Sequence, residues 1–374
     1  IHDIIPLILK HFSYFCGKAG AERDNPVPFC NSHFHTIKLK KKNNKKKNCI
    51  FLYKYKLSEM KRILIVGAGG QIGTELVPHL QKHYGHDNVV AADLRDDMVA
   101  KMSEVAITEK LDILDINAFE AIVKKYDIDA IFNMVALLSA TGEKNPELAW
   151  KINMGALLNS LALAKEYKTA LFTPSSIGAF GENTPHDNTP QDTVMRPNTI
   201  YGVCKVSGEL LSDYYFTRFG VDTRSVRFPG IISNGALPGG GTTDYAVEVF
   251  YEVLKHKHYT CPIPPDTYMD MLYMPDALNA VIQLMEADPS KLVHRNSFNI
   301  TCMSFTPTQL FEKIKQRIPD ATFDYDVDPV KAQISASWPN KLDDTCAREE
   351  WGWNPQWDID AMIDDMLDKI SKKL

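Results

Sequence analysis

The sequence predicts an α/β chain: a doubly wound parallel sheet with a smaller C-terminal substrate lobe. Three observations predict it. Short apolar runs alternate with helix-patterned stretches from residue 60 to about residue 230, and the first of these runs leads into three glycines at three-residue spacing. After Phe228 the alternation gives way to glycine-rich turns mixed with short strands and helices. The chain's 374 residues, 44% hydrophobic and 24% charged, suffice for a full core, and no repeat of solenoid period interrupts the alternation.

The first unit is "KRILIVGAGGQIGTELVPHLQKHYGHDNVVAADL". Ile63 to Val66 suit a strand covered on both faces, and a helix is expected to open at about Gln71. Gly67 permits the tight turn, Gly70 lets backbone approach a pyrophosphate, and Gly73 allows close packing of helix on strand. Asp93 ends the next strand, twenty residues after Gly73, where a carboxylate bonds ribose hydroxyls and repels a 2′-phosphate. This is a Rossmann-like pattern, and it points to NAD, not NADP. Arg95 stands against that preference, because an arginine there can meet a phosphate. A third strand ends near Leu111 and Asp112, close to where an adenine edge would lie.

"DAIFNMVALLSA" supplies the fourth strand, "NPELAWKINMGALLNSLALAKEYK" a long helix, and "TALFTPSS" the fifth strand. A helix bearing Tyr201 follows, then "VDTRSVRFPGI" as the sixth strand. Ligands of such sheets bind beyond the carboxyl ends of the strands, where Ser139, Ser175, Ser176 and Arg227 collect with the residues already named. Beyond Phe228, Gly239 to Gly241 would let a loop hinge over substrate, and a mobile surface loop is the plainer reading. Met269, Met271 and Met274 read as packing residues.

Tyr201 and Lys205 stand one helical turn apart. Alone, such a pair is an ordinary solvated helix face. Ser176, at the end of the fifth strand, changes the reading, since strand end and helix start converge on one cleft. A free phenol, with a pKa of about 10, is a poor base near neutrality. A neighbouring ammonium favours the phenolate, so Tyr201 is expected to take a proton from a substrate alcohol. Lys205 would also bond the nicotinamide ribose. Ser176 would hold the reacting oxygen, with Ser175 supporting or sharing that role.

Gly67-x-x-Gly70-x-x-Gly73, the serines of "PSSIGAFG" and Tyr201-x-x-x-Lys205 resemble the extended short-chain dehydrogenase/reductase family, which includes NDP-sugar epimerases, over nearly all of residues 61 to 370. Longer strings, among them "YGVCKVSGELL", "LPGGGTTDYAVE" and "SWPNKLDD", resemble its zinc-independent L-threonine 3-dehydrogenases. That resemblance implies NAD-dependent oxidation of the threonine 3-hydroxyl to 2-amino-3-oxobutanoate. It also implies a homodimer formed through helices of the sheet domain. The helix asparagine Asn153 would order a proton-relay water, although taken by itself it reads first as a polar residue on a helix face. The cofactor set so expected is Gly67, Gly70, Gln71, Ile72, Gly73, Asp93, Leu94, Arg95, Leu111, Asp112, Ala136, Leu137, Asn153, Tyr201, Lys205 and Phe228. Ser139, Ser175, Tyr201, Thr242, Thr243 and Trp338 are expected to contact substrate.

NDP-sugar enzymes commonly meet a diphosphate with arginine, whose planar fork matches phosphate oxygens. No arginine lies between Arg227 and Arg295, and hydroxyls there suit a small zwitterion better. Arg295, Arg317 or Arg348 folding inward would reverse that argument. A catalytically silent NAD-binding redox sensor is the reading of another class, and the intact Tyr201, Lys205 and Ser176 speak against it.

The remaining features set boundaries. Residues 60–230, with a return segment at about 268–296, are expected to form the cofactor domain, and residues 231–267 and 297–374 the substrate lobe. Residues 1–59 hold twelve Lys and Arg against four Asp and Glu, including "KLKKKNNKKKN". A disordered basic extension fits better than a nucleic-acid or membrane tether. Met60 stands before the first patterned strand as an initiator would, so cytoplasmic placement is expected, with a mitochondrial leader as the alternative. The seven cysteines show no CxxC pair and no zinc spacing, which suggests free thiols, a reducing compartment and no metal.

Overall fold

Strand β1 (Ile63–Val66) is almost wholly shielded from solvent, as a central strand covered on both faces must be. The computed structural model describes residues 60–235 and 239–374, so the expectations for residues 1–59 lie outside the described residues. After β1 come α1 (Gly73–Tyr84), β2 (Val89–Asp93), α2 (Asp96–Met102), β3 (Ile107–Lys110), α3 (Ile116–Tyr126) and β4 (Ala130–Asn133). Then follow α4 (Ser139–Lys144), α5 (Pro146–Tyr167), β5 (Ala170–Phe172), β6 (Ser175–Ser176), α6 (Ile200–Phe219) and β7 (Thr223–Phe228).

The C-terminal part runs β8 (Gly230–Ile232), α7 (Tyr245–His256), β9 (His258–Cys261), β10 (Met269–Tyr273), α8 (Met274–Glu286), β11 (Asn296–Asn299) and β12 (Met303–Phe305). It closes with α9 (Pro307–Arg317), β13 (Thr322–Tyr325), α10 (Pro329–Ala336), α11 (Thr345–Trp351) and α12 (Ile359–Ser371).

The main sheet is parallel in the order β11-β7-β5-β4-β1-β2-β3, with β6 paired to β7. Its strand order reverses between β1 and β4, which opens a crevice above their carboxyl ends. Alternate residues of β1 enter opposite layers. Ile63 and Ile65 pack with Leu76 and Leu80 of α1 and Val281 of α8. Leu64 and Val66 pack with Phe119 of α3 and with Leu157 and Leu161 of α5. This is the doubly wound, Rossmann-like α/β fold.

The structure differs locally from the sequence reading in four elements, two of them at prolines. The fourth strand stops at Asn133 and its expected continuation becomes an extended segment and α4. The fifth and sixth strands each break near a proline, at Pro174 and Pro229, which lacks the N–H a ladder needs. Beyond Pro229, β8 leaves the main sheet for a three-stranded one, order β12-β10-β8. Helix α1 opens at Gly73, two residues later than expected.

The stretch expected to return to the main sheet is divided. Strand β10 joins the small sheet, α8 packs against the main one, and β11 pairs in parallel with β7. A separate core lies under the small sheet, where Met269 and Met271 pack with Tyr245, Phe250 and Phe305, whereas Met274 joins the core of the main sheet. All three methionines are buried.

Candidate active site

The glycine turn follows directly from β1. Gly67 has φ +80°, a left-handed conformation open to glycine, and its N–H and that of Ala68 both donate to Ala92 O. A Cβ on Gly73 would stand 2.6 Å from Gly67 O, so glycine is required for α1 to start this close to the strand. Asp93 is buried at the end of β2, where its Oδ2 accepts the Gly69 N–H at 2.8 Å. Arg95 is pinned across the turn: its N–H and Nε donate to Asp93 Oδ1 and its Nη2 to Gly69 O at 2.7 Å. A backbone cradle at a helix N-terminus with a carboxylate beside it fits an adenine dinucleotide lacking a 2′-phosphate.

Gly67, Gly70, Gln71, Ile72, Gly73, Arg95, Ala136, Leu137 and Phe228 line one cleft of about 400 Å³. Asp93, Leu94, Leu111, Asp112 and Asn153 lie outside that lining, Asp93 buried directly behind Arg95. Leu94 projects into solvent, Leu111 is buried and donates its N–H to Asp93 O, and Asp112 accepts the Leu114 N–H within a turn. Asn153 clamps Leu137: its Oδ1 accepts the Leu137 N–H and its Nδ2 donates to Leu137 O. It also borders a cavity of about 30 Å³ shared with Lys205 and Cys204, room for one water.

Helix α6 delivers the tyrosine and lysine. Thr199 caps it by accepting the Gly202 N–H, and Glu143 of α4 accepts the Ile200 N–H. Gly202 has no room for a Cβ, which would stand 2.2 Å from Gly178 O, so the start of α6 lies against the turn after β6. Tyr201 is buried yet lines the cleft, and Lys205 Nζ stands 5.2 Å from its ring centroid. Lys205 Nζ also donates to Pro174 O at 2.6 Å, which fixes the ammonium. A Cβ on Gly178 would lie 3.1 Å from the Tyr201 ring and 3.5 Å from Ser176 Oγ, so ring and hydroxyl flank the same glycine.

The two serines part ways. Ser176 Oγ accepts the Gly178 N–H, a bond that leaves its own proton to donate. Ser175 Oγ donates to Glu209, which is paired with Arg227 Nη2 at 2.8 Å, and all three groups are buried. Arg227 donates further to Gln191 O and Asn299 Oδ1. The hydroxyl of Ser175 is thereby committed to the scaffold, although the residue borders the cleft.

The opposite wall comes from α4, the glycine loop and the segment after α10. Ser139 Oγ and Thr242 Oγ1 are 3.5 Å apart, with Thr243 and Trp338 also lining the cleft. Trp338 is mostly buried against Ile177, Phe180, Ile334 and Leu342, so it is both core and wall. Asp244 accepts the N–H groups of Gly240 and Gly241 at 2.8 and 2.7 Å. Burial pushes its carboxyl up to about 6 against those two bonds. Pattern reading missed Asp244, Gly69 and Glu209. Acid spacing marks none of them, but a carboxylate three residues past the glycines is a turn-capping signal for Asp244.

Among the described residues, Arg95 and Lys205 are the cleft's lysine and arginine. Arg295 pairs with Asp222, Arg317 with Asp360 and Asp364, and Arg348 with Asp344. The three arginines left open by the sequence are thus engaged away from the cleft.

Comparison with known proteins agrees with this geometry. Residues 63–301 match the model of the NAD dependent epimerase/dehydratase family. An uncharacterized epimerase/dehydratase of Staphylococcus saprophyticus is 53% identical over 314 residues, covering 84% of this chain and 98% of its own. The solved L-threonine dehydrogenase of Clostridium difficile is 54% identical with a TM-score of 0.82, covering 84% of this chain and 98% of that one. The L-threonine dehydrogenase of Phytophthora infestans is 45% identical with a TM-score of 0.81, over 84% and 100% of the two chains. With its glycine cradle, its Asp93 carboxylate and these relatives, the chain belongs to the NAD dependent epimerase/dehydratase family and takes NAD as its cofactor.

Proposed function

We propose that the protein is an L-threonine 3-dehydrogenase that oxidises the 3-hydroxyl of L-threonine to 2-amino-3-oxobutanoate. The observation that carries this reading is the charge of the cleft: its arginine sits at the glycine turn, and its substrate side offers hydroxyls. A nucleotide-sugar diphosphate would lack a guanidinium partner there, whereas the single carboxylate of a small zwitterion carries less charge for the hydroxyls to meet. The names of the C. difficile and P. infestans relatives support the same substrate.

In this reading Gly67, Gly70, Ile72 and Gly73 hold the pyrophosphate of NAD, and Asp93 its adenosine ribose. When bound, NAD accepts two electrons from the substrate carbon. Tyr201 takes the proton of the 3-hydroxyl as general base. Lys205, its ammonium fixed by Pro174 O, stabilises the phenolate form in which Tyr201 accepts that proton. Ser176 orients the reacting oxygen, and Ser139, Thr242 and Thr243 meet the polar ends of the amino acid. Residues 231–267 and 297–374 act as the substrate lobe.

A second copy of the chain completes the assembly. Trp150 and Leu158 of α5 and Val203, Leu210 and Tyr214 of α6 are exposed on two helices that pack side by side, a suitable face for a homodimer. Incubation of the protein with NAD and L-threonine tests the reaction. Reduced cofactor and 2-amino-3-oxobutanoate are expected. Turnover of a nucleoside-diphosphate sugar without turnover of threonine would overturn it.

A further inference from the structure

Outside the cleft, His294, Cys346 and Glu350 come together with their ligand atoms all within 4.8 Å of one another. His294 precedes β11, while Cys346 and Glu350 stand one turn apart on α11 and so share a face. None of the three lines the cleft. Glu350 is set in place by the backbone: its Oε2 accepts the N–H groups of Val293 and His294, which turns Oε1 towards His294 Nδ1. The other ring nitrogen, Nε2, faces the Asp192 carboxylate at 3.5 Å. An imidazole that ligates through one nitrogen is commonly oriented by a carboxylate on the other.

We propose that His294 Nδ1, Cys346 Sγ and Glu350 Oε1 form a binding site for a borderline divalent transition metal, zinc foremost, with Asp192 orienting the imidazole and a fourth position open to water. Sulfur and imidazole donors disfavour magnesium and calcium, which take oxygen ligands. Bonds of about 2.0–2.3 Å in a tetrahedron put ligand atoms roughly 3.3–3.8 Å apart, so movements of about 1 Å complete the site. On binding, the thiol proton and the Nδ1 proton that meets Glu350 Oε1 both leave for solvent, and the imidazole keeps a proton on Nε2 towards Asp192. The metal would tie α11 to the entry of β11, at the edge of the main sheet. Next to Asp192, Gln191 accepts from Arg227 and bonds the backbone of Ser297 and Asn299, so the brace would support the same strand. Its role is therefore stability, not catalysis.

The test is a cobalt(II) titration of the full chain and of Cys346→Ser, with thermal melts of both in chelator and in zinc. The full chain carries other cysteines, so the difference between the two proteins is the readout. The expected result is a thiolate-to-cobalt charge-transfer band and a zinc-dependent rise in melting temperature, both lost in Cys346→Ser. His294→Gln should lose the same band, and activity in chelator should be unchanged by Cys346→Ser. Identical cobalt spectra and identical zinc shifts in wild type and Cys346→Ser would overturn the proposal.

Discussion

Single residues divide the labour of the cleft more sharply than their spacing suggests. Ser175 and Ser176 are neighbours, yet one hydroxyl is bound to the Glu209–Arg227 pair and the other stands beside Tyr201. Ser176→Ala should lower kcat/KM by about 10²-fold, in the range for loss of one positioned hydrogen-bond donor. Ser175→Ala should instead mainly lower the melting temperature, because a bond to a buried charge contributes roughly 1.5–3 kcal/mol. Glu209→Ala should be harsher, at about 3–5 kcal/mol, since it strands the Arg227 guanidinium without its partner in the interior. Urea unfolding and steady-state kinetics on the three variants separate these outcomes. Asp93 carries the cofactor preference at the same scale. Removing it as Asp93→Ser takes away a negative charge and frees Arg95, so binding titrations should show NADP gaining on NAD.

Among the elements, the parts that bear chemistry are those where regular structure stops. Prolines 174 and 229 end the ladders early, β6 thereby presents its serines, and β8 turns away to found the small sheet, with Ile231 lining the cleft. The alternation of strand and helix was legible because short continuous apolar runs and glycine turns are local signals. The breaks were not, because an apolar run reads the same on either side of a proline until its pairing is known. The glycine loop before α7 is held by Asp244. Asp244→Ala should therefore raise KM for the small substrate while leaving NAD affinity nearly unchanged, which kinetics and cofactor titration together can check. The proposed metal-ligand cluster was illegible for a related reason: His294 and Cys346 are distant in sequence, and the packing of α11 against β11 places them beside each other.

At the scale of the whole molecule, the small sheet holds a buried carboxylate that makes stability depend on pH. Asp270 on β10 is fully enclosed, accepts from Thr301 Oγ1 and the Leu342 N–H, and is pushed up to about 7 by burial. The folded protein keeps this proton to about pH 7, whereas the unfolded chain gives it up near pH 4. Between those values the native state binds more protons, so the contribution of Asp270 to stability falls as pH rises through that window and is level above it. Unfolding free energies measured across the window should fall less steeply in Asp270→Asn than in wild type. The proposed dimer belongs to this scale too, and Leu210→Asp should shift light-scattering mass from two chains to one.

The Tyr201–Lys205–Ser176 cluster was the most legible part of the site, because helical spacing and strand ends fix it locally. The cofactor rim was less so: Leu94, Leu111 and Asp112 sit at the right strand ends but outside the cleft lining, since a residue's direction off a strand end depends on the turn that follows. Proton removal by Tyr201 is the claim on which the proposed chemistry depends, and Tyr201→Phe tests it most directly. Threonine oxidation and NAD binding should be measured together on that variant. The expected result is a fall in kcat of at least about 10²-fold, in the range for a lost general base, with NAD bound as tightly as in wild type. A variant that oxidises threonine at the wild-type rate would contradict the account.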